Sequence, residues 1–280
     1  MAAEPTEPGA HYVMKSEEEV SRLSNQHEII KDAMGGLILA NIDLSTRPLR
    51  VLDSATADGT WIRDFASGYA LVQHEIHGAD IDPTNFPANP PAGTIYRVQD
   101  IKKSWPEDWK GTFDLVHQRL ALVGAGPAQK EAVLNLAALV KPNGWIQLME
   151  AENVFVDDQG PAMYDFVRLM KDMFIIMGAK IDLTRQIPGW LEEAGFTDIQ
   201  DRLIDMKIGA TNPNPRLAKQ GVYSTAISAT ALSRFGKSLP PEKISLSQEK
   251  LDTLVTDLRT ELFERGAVYP MRVVWARKKV

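Results

Sequence analysis

Cysteine is absent from the 280-residue chain. Disulfides and thiolate metal sites are thereby excluded, and the composition suits the reducing cytoplasm, which is the expected location. Long apolar runs are missing too. None approaches the roughly 20 residues that span a bilayer, so no membrane partner is expected. The opening MAAEPTEPGAH lacks the basic and apolar regions of a secretory signal. Positive charge is not gathered anywhere: 31 lysines and arginines stand scattered against 37 acids, for a net charge of −6. Such a distribution argues against nucleic acid as a partner. Three motifs are also wanting. There is no G-x-G-x-x-G, no phosphate loop ending in Gly-Lys-Ser/Thr, and no G-x-S-x-G elbow of a hydrolase. What remains is 44% hydrophobic and 24% charged, long enough for one large α/β domain or a domain with a lid.

One stretch is informative, Leu49 to Asp82. A short apolar run ends on Asp53. The small-residue loop Ser54-Ala55-Thr56-Ala57-Asp58-Gly59 follows, then a helix-like segment from Thr60 and a strand-like run ending on Asp80. Strand, tight turn, helix, strand and acid make half of a doubly wound nucleotide-binding sheet. Small residues let backbone N–H groups approach a ligand, and a helix N-terminus favours negative charge. An acid at the end of the second strand can accept from both hydroxyls of a ribose. Ala55 and Ala57 are expected at negative φ, with their methyl groups crowding the ligand.

The rest of the chain alternates in the same manner. Further strands are expected at Ile95–Gln99, Phe113–His117, Trp145–Met149, Ile199–Ile208 and Tyr269–Ala276. Helices are expected at Glu131–Val140, Tyr164–Met177, Pro188–Ala194 and Ser245–Arg265, and Lys141–Gly144 reads as a tight turn. Ser16-Glu17-Glu18-Glu19 reads as a capping box, opening a helix with Val20, Leu23, His27, Ile30 and Met34 on one face. Asp53, Asp80 and Asp100 all close expected strands, the edge where open α/β sheets bind ligands. His117 is the best general-base candidate, or else a side chain bonded to the adjacent loop that shapes the pocket. Glu150 and Glu152 follow the fifth strand. Either could hold a substrate amine or accept a proton, or cap the next element. The stripe that follows Tyr164 lines a pocket or packs a core. His74-Glu75-Ile76-His77 is not the helical H-E-x-x-H pattern, and no metal is assigned there.

Taken in order, these segments resemble the class I S-adenosylmethionine-dependent methyltransferases. VLDSATADG resembles their motif I, "LDxxxGxG", with Asp80 as the motif II acid. Glu19, Arg22, Leu23, Gln26 and His27 match "E-x-x-R-L-x-x-Q-H" of methyltransferases of fungal secondary metabolism, the group that includes the velvet-complex regulator. FDLVHQR and LVKPNGWIQLMEAE resemble that group as well, and LEEAGFTDI resembles the lead into the sixth strand. The resemblance runs from about Ser16 to the end of the chain. It implies a Rossmann-like α/β sheet of order 3-2-1-4-5-7-6 with the last strand antiparallel. It also implies a mobile tail at 1–15, a helical cap at 16–48, and a methyltransferase domain at 49–280 whose 209–244 insertion contributes to a lid.

The implied cofactor is S-adenosylmethionine. Asp53 and the backbone at Ala55, Ala57 and Gly59 would meet its tail, Asp80 with Ile81 its ribose, and Asp100 with Ile101 its adenine. His117 would lie beside the methyl group. His117 and His27 are the catalytic candidates. Gln26, Arg119, Glu150 and Tyr164 are the substrate-binding candidates. The implied activity is methyl transfer to an oxygen or nitrogen of a small-molecule metabolite. The glycine-poor loop keeps open a cyclisation or rearrangement in the same pocket, and the resemblance also allows a regulator that acts through a protein partner. The oligomeric state is left open, a homodimer included.

Overall fold

Arg50–Ser54 is buried from Val51 onward, as a strand covered on both faces must be. This strand, β1, is the inner strand of a computed structural model that describes residues 17–280. The tail at 1–15 and the Ser16 cap lie outside the described residues. In chain order the elements are α1 (Glu17–Met34), β1, α2 (Thr60–Gly68), β2 (Glu75–Asp80), β3 (Thr94–Val98), β4 (Phe113–Arg119) and α3 (Gln129–Leu139). There follow β5 (Val140–Ala151), α4 (Pro161–Ile176), α5 (Leu183–Glu193), β6 (Phe196–Ile208), α6 (Pro215–Lys237), α7 (Gln248–Glu264) and β7 (Ala267–Lys278). Short 3-10 turns join some of them. The sheet order is β3-β2-β1-β4-β5-β7-β6. β1 runs parallel to β2 and β4, β2 to β3, and β4 to β5, while β7 is antiparallel to β5. The expected order and the antiparallel last strand are both found. Among the described residues no helix is long and apolar enough to cross a membrane.

The chain forms two compact units. The sheet unit holds Lys31–Glu152, Asp182–Ile204 and Met271–Val280. Leu37, Leu49, Val51, Trp61, Ile62, Phe65, Ile76 and Leu115 form a core in it, with Ile38, Ile42 and Leu44 packed alongside. This packing moves the boundary read from sequence. Residues 31–48 belong with the sheet rather than with a separate cap, because their apolar side chains complete its core. Gln147 on β5 fixes them in place. It is fully buried, accepts the Leu39 N–H at 2.7 Å and donates to the Leu37 carbonyl at 3.1 Å.

The helical unit holds the chain up to Ile30, Asn153–Ile181 and Asp205–Pro270. Its helices α4, α6 and α7 pack on one another. Leu251, Leu254, Leu258 and Leu262 are all buried, as expected. The stretch read as an insertion carries the 23-residue α6, capped by Asn214, which accepts from the Arg216 and Leu217 amides. Its buried face mixes large residues, Leu217, Val222, Leu232 and Phe235, with small ones, Gly221, Ser224, Ala229 and Gly236. A Cβ on Gly236 would come within 3.1 Å of Leu251.

Three local expectations are corrected. Val20 is 42% exposed, so the buried face of α1 is His27, Ile29, Ile30 and Met34. Helix α5 begins at Leu183 rather than Pro188, with Leu183, Ile187 and Leu191 all buried. That burial outweighs the roughly 3 kcal/mol of an interior proline. Lys141–Gly144 is a bulge inside β5 rather than a turn before it. Val140 pairs with Phe113, and Trp145 then pairs with Leu115. Asn143 takes the positive φ expected in this stretch, 64°.

Gln147→Leu leaves a buried N–H and a carbonyl unpaired. It is expected to lower stability by about 2–4 kcal/mol, read by urea unfolding at unchanged slope.

Candidate active site

Four strand ends and one loop build the site. In register, Asp53 lies opposite His117 on one side and Gly78 on the other. The loop after β1 turns through three left-handed residues, Ala55 (φ 54°), Ala57 (φ 49°) and Gly59 (φ 74°). The expectation of negative φ at the two alanines is therefore corrected. Each such alanine costs about 1–2 kcal/mol, and a set of hydrogen bonds holds it there. The Thr56 N–H donates to the Ala79 carbonyl at 3.0 Å, and the Gly59 N–H to the Thr56 carbonyl at 2.9 Å. The Ala57 N–H donates to Asp80 Oδ2 at 2.8 Å, and Thr56 Oγ1 to Asp53 Oδ2 at 2.7 Å. The loop thus adopts the backbone that glycines would adopt.

Gly59 is constrained further. A Cβ there would lie 2.1 Å from the Tyr96 hydroxyl, whose ring also covers Gly78. That hydroxyl is buried and has no partner among the described residues. Burial, with Asp53 adding, pushes it up to about 12.

His117 is 3% exposed, as is Asp53. Its Nδ1 lies 2.7 Å from Asp53 Oδ1. Its ring stacks on Trp61 of α2 with centroids 4.2 Å apart and planes 9° apart. Burial pulls the imidazole pKa down. Asp53 acts against that, and Arg119 adds to it. Asp80 is engaged at both oxygens, by the Ala57 amide and by the Asp82 amide at 3.0 Å. Burial raises its carboxyl above the usual range, with Asp53 and Asp82 acting in the same direction. Asp100 stands two residues beyond β3 and accepts the Lys102 N–H at 2.9 Å. The Gln99 amide ties that segment to the Asp80 carbonyl at 2.8 Å. Ile81 is exposed and Ile101 half-buried.

Glu150, near the end of β5, and Glu152, just after it, are both bonded into the scaffold. Glu150 Oε1 accepts the Ala121 and Leu122 amides, both at 2.9 Å, and so holds the turn in which Leu120 takes φ 54°. Burial raises Glu150 to about 7. Glu152 accepts from Arg272 and Arg185 at Oε1 and from Thr184 at Oε2, so both of its oxygens are bonded within the fold. Of the other candidates, Arg119 closes β4 and is half-buried. Gln26, His27 and Tyr164 belong to the helical unit. There Tyr164 donates to the Val156 carbonyl at 3.0 Å, His27 is buried, and Gln26 lines a cavity of about 40 Å³ with Phe166, Ser224 and Tyr269. His74 Nδ1 accepts the Leu49 N–H, and His77 meets Glu75 at 2.6 Å.

The site residues not named from sequence are Thr56, Trp61 and Tyr96. Thr56 could have been found from its hydroxyl three residues after Asp53. Trp61 and Tyr96 carry no local signal.

The donor set fits a nucleoside cofactor with a cationic amino-acid tail. Each oxygen of Asp53 and of Asp80 has one partner described above and a lone pair to spare. The loop offers small residues, and one buried hydroxyl lacks a partner.

No family model matches the chain. It is 33% identical to the N-methyltransferase sirN of Leptosphaeria maculans, over 97% of this chain and 96% of that protein. It is 32% identical to the N-methyltransferase gliN of Aspergillus fumigatus, over 99% of this chain and 100% of that protein. Among solved structures it resembles a chain of the complex between the Haloferax volcanii Trm112 methyltransferase activator and a methyltransferase. The TM-score is 0.53 at 12% identity, covering 96% of this chain and 100% of that one, a likeness of fold alone.

Glu150 makes stability depend on pH. Its folded value of about 7 lies above the ordinary 4.5, so its contribution is present at low pH and is lost as pH rises through that window. Glu150→Gln, which keeps the accepting oxygen, is expected to gain about 3 kcal/mol at pH above the window and to flatten the dependence in pH-resolved denaturant melts.

Proposed function

Because the chain belongs to the class I S-adenosylmethionine-dependent methyltransferases, in the fungal group that holds the two relatives just described, we propose that it methylates a nitrogen atom of a small-molecule metabolite. What carries this reading is the end-to-end likeness to two proteins named as N-methyltransferases. The loop and strand-end acids support it. Asp80 would hold the ribose hydroxyls. The backbone from Ala55 to Gly59, with Asp53, would hold the tail, and Asp100 the adenine amine.

When bound, the cofactor supplies a methyl group on a sulfonium, already a good leaving group, so neither a metal nor a covalent enzyme intermediate is required. The protein's contribution is to fix the donor, to align the nitrogen lone pair with the bond that breaks, and to exclude water. A nitrogen that carries hydrogen also releases a proton. The sheet edge suits the first task. Asp53 and Asp80 are fixed by short bonds to the same loop, so little ordering remains to be done on binding.

Calorimetric titration with S-adenosylmethionine and S-adenosylhomocysteine tests the reading. Both are expected to bind at about micromolar Kd. Asp80→Ala is expected to weaken both at least about tenfold, since an unpaired ribose diol is left. No binding to the unaltered protein would overturn the proposal. Turnover with a 13C-methyl donor then reports the acceptor, because the carbon shift separates N-methyl from O-methyl products. An O-methyl product would overturn the choice of nitrogen.

A further inference from the structure

His117 was read from sequence as a base or as a side chain that shapes the pocket, and its surroundings define a bonded, positioning role. β1 and β4 are parallel neighbours, and their register sets Asp53 directly beside His117. The Nδ1 to Oδ1 distance is 2.7 Å. A carboxylate only accepts, so the shared hydrogen belongs to Nδ1. One face of the ring is covered by Trp61, the second residue of α2. That helix begins directly after the left-handed loop, so the loop, the helix, the ring and the acid form a closed circuit. Thr56 returns from the loop to the other oxygen of the same carboxylate. With 3% exposure and both contacts in place, the imidazole cannot rotate without breaking the circuit.

We propose that His117 is a positioning residue: its Nδ1–H holds the Asp53 carboxylate where the cofactor's amino group is received. This rests on the cofactor reading above. Clamping Asp53 at both oxygens leaves one lone pair on each, and their direction is then fixed for the incoming cation. The charged groups bearing on the ring are Asp53 of β1 and Arg119 of its own strand. Burial and Arg119 both favour the neutral imidazole, whose Nδ1–H tautomer can donate to Asp53.

The test is S-adenosylhomocysteine affinity across a double-mutant cycle, with 15N NMR of the ring. His117→Ala and Asp53→Asn are each expected to weaken binding about tenfold. The double variant should be no weaker than Asp53→Asn alone, since the histidine acts through that acid. His117→Asn, whose amide can also donate, should restore most of the affinity lost in His117→Ala. Binding by His117→Ala equal to the unaltered protein, or losses that multiply in the double variant, would overturn the proposal. So would a failure of His117→Asn to recover affinity in a folded protein, established by its thermal melt. The NMR needs no ligand and decides the matter if His117→Ala fails to fold. A neutral Nδ1–H tautomer between about pH 6 and 8 is expected, and an Nε2–H tautomer overturns it. If the unaltered protein binds no S-adenosylhomocysteine, the methyltransferase reading fails instead, and the tautomer still tests the His117 hydrogen bond by itself.

Discussion

The carboxylate of Asp53 is the constraint from which the rest of the sheet edge follows. It is 3% exposed and bonded at both oxygens, to His117 and to Thr56. A buried acid with fewer partners would be costly. Satisfying it fixes the ring on β4 and the hydroxyl in the loop, and so the path of the loop itself. Two left-handed alanines raise the energy of that path by about 1–2 kcal/mol each. The bonds that oppose them run to a carboxylate or to backbone carbonyls, with net values of about 1–3 kcal/mol apiece. The strained conformation is therefore over-determined, which is how strain persists at functional sites.

Much of the sheet was legible because buried parallel strands and tight turns leave strong local marks. Asp53 and Asp80 were found at strand ends from the strand–loop–helix–strand–acid order alone. The helix after Gly59 begins where expected, at Thr60. The segments that misled are those where tertiary packing overrides local preference. α6, inside the stretch read as an insertion, is a long helix with a largely buried face that packs against α4 and α7. The pair Asn214-Pro215 marks its start, as a cap followed by proline in the first turn. Pro188 likewise looked like a helix start, whereas the apolar face of α5 carries the helix through it.

Side-chain roles were less legible than positions. Glu150 and Glu152 sit two apart at the end of the same strand and look alike in sequence. One caps a strained turn at Leu120 and is raised to about 7, and the other closes an ion cluster with Arg272 and Arg185. His117 was placed correctly at a strand's carboxyl end, but its contacts with Asp53 and Trp61 join three elements distant in sequence. Ala55 and Ala57 were misjudged for the same reason: their φ values are imposed by partners at Asp80 and Ala79 that spacing alone does not reveal.

The most direct measurement is a crystal structure of the protein with S-adenosylhomocysteine. The account predicts the ribose hydroxyls within hydrogen-bond distance of Asp80, the amino group at Asp53, and the Asp53–His117 bond retained beneath it. Density for the ligand elsewhere, or a loop at 55–59 that must leave its left-handed conformation to admit it, would contradict the account.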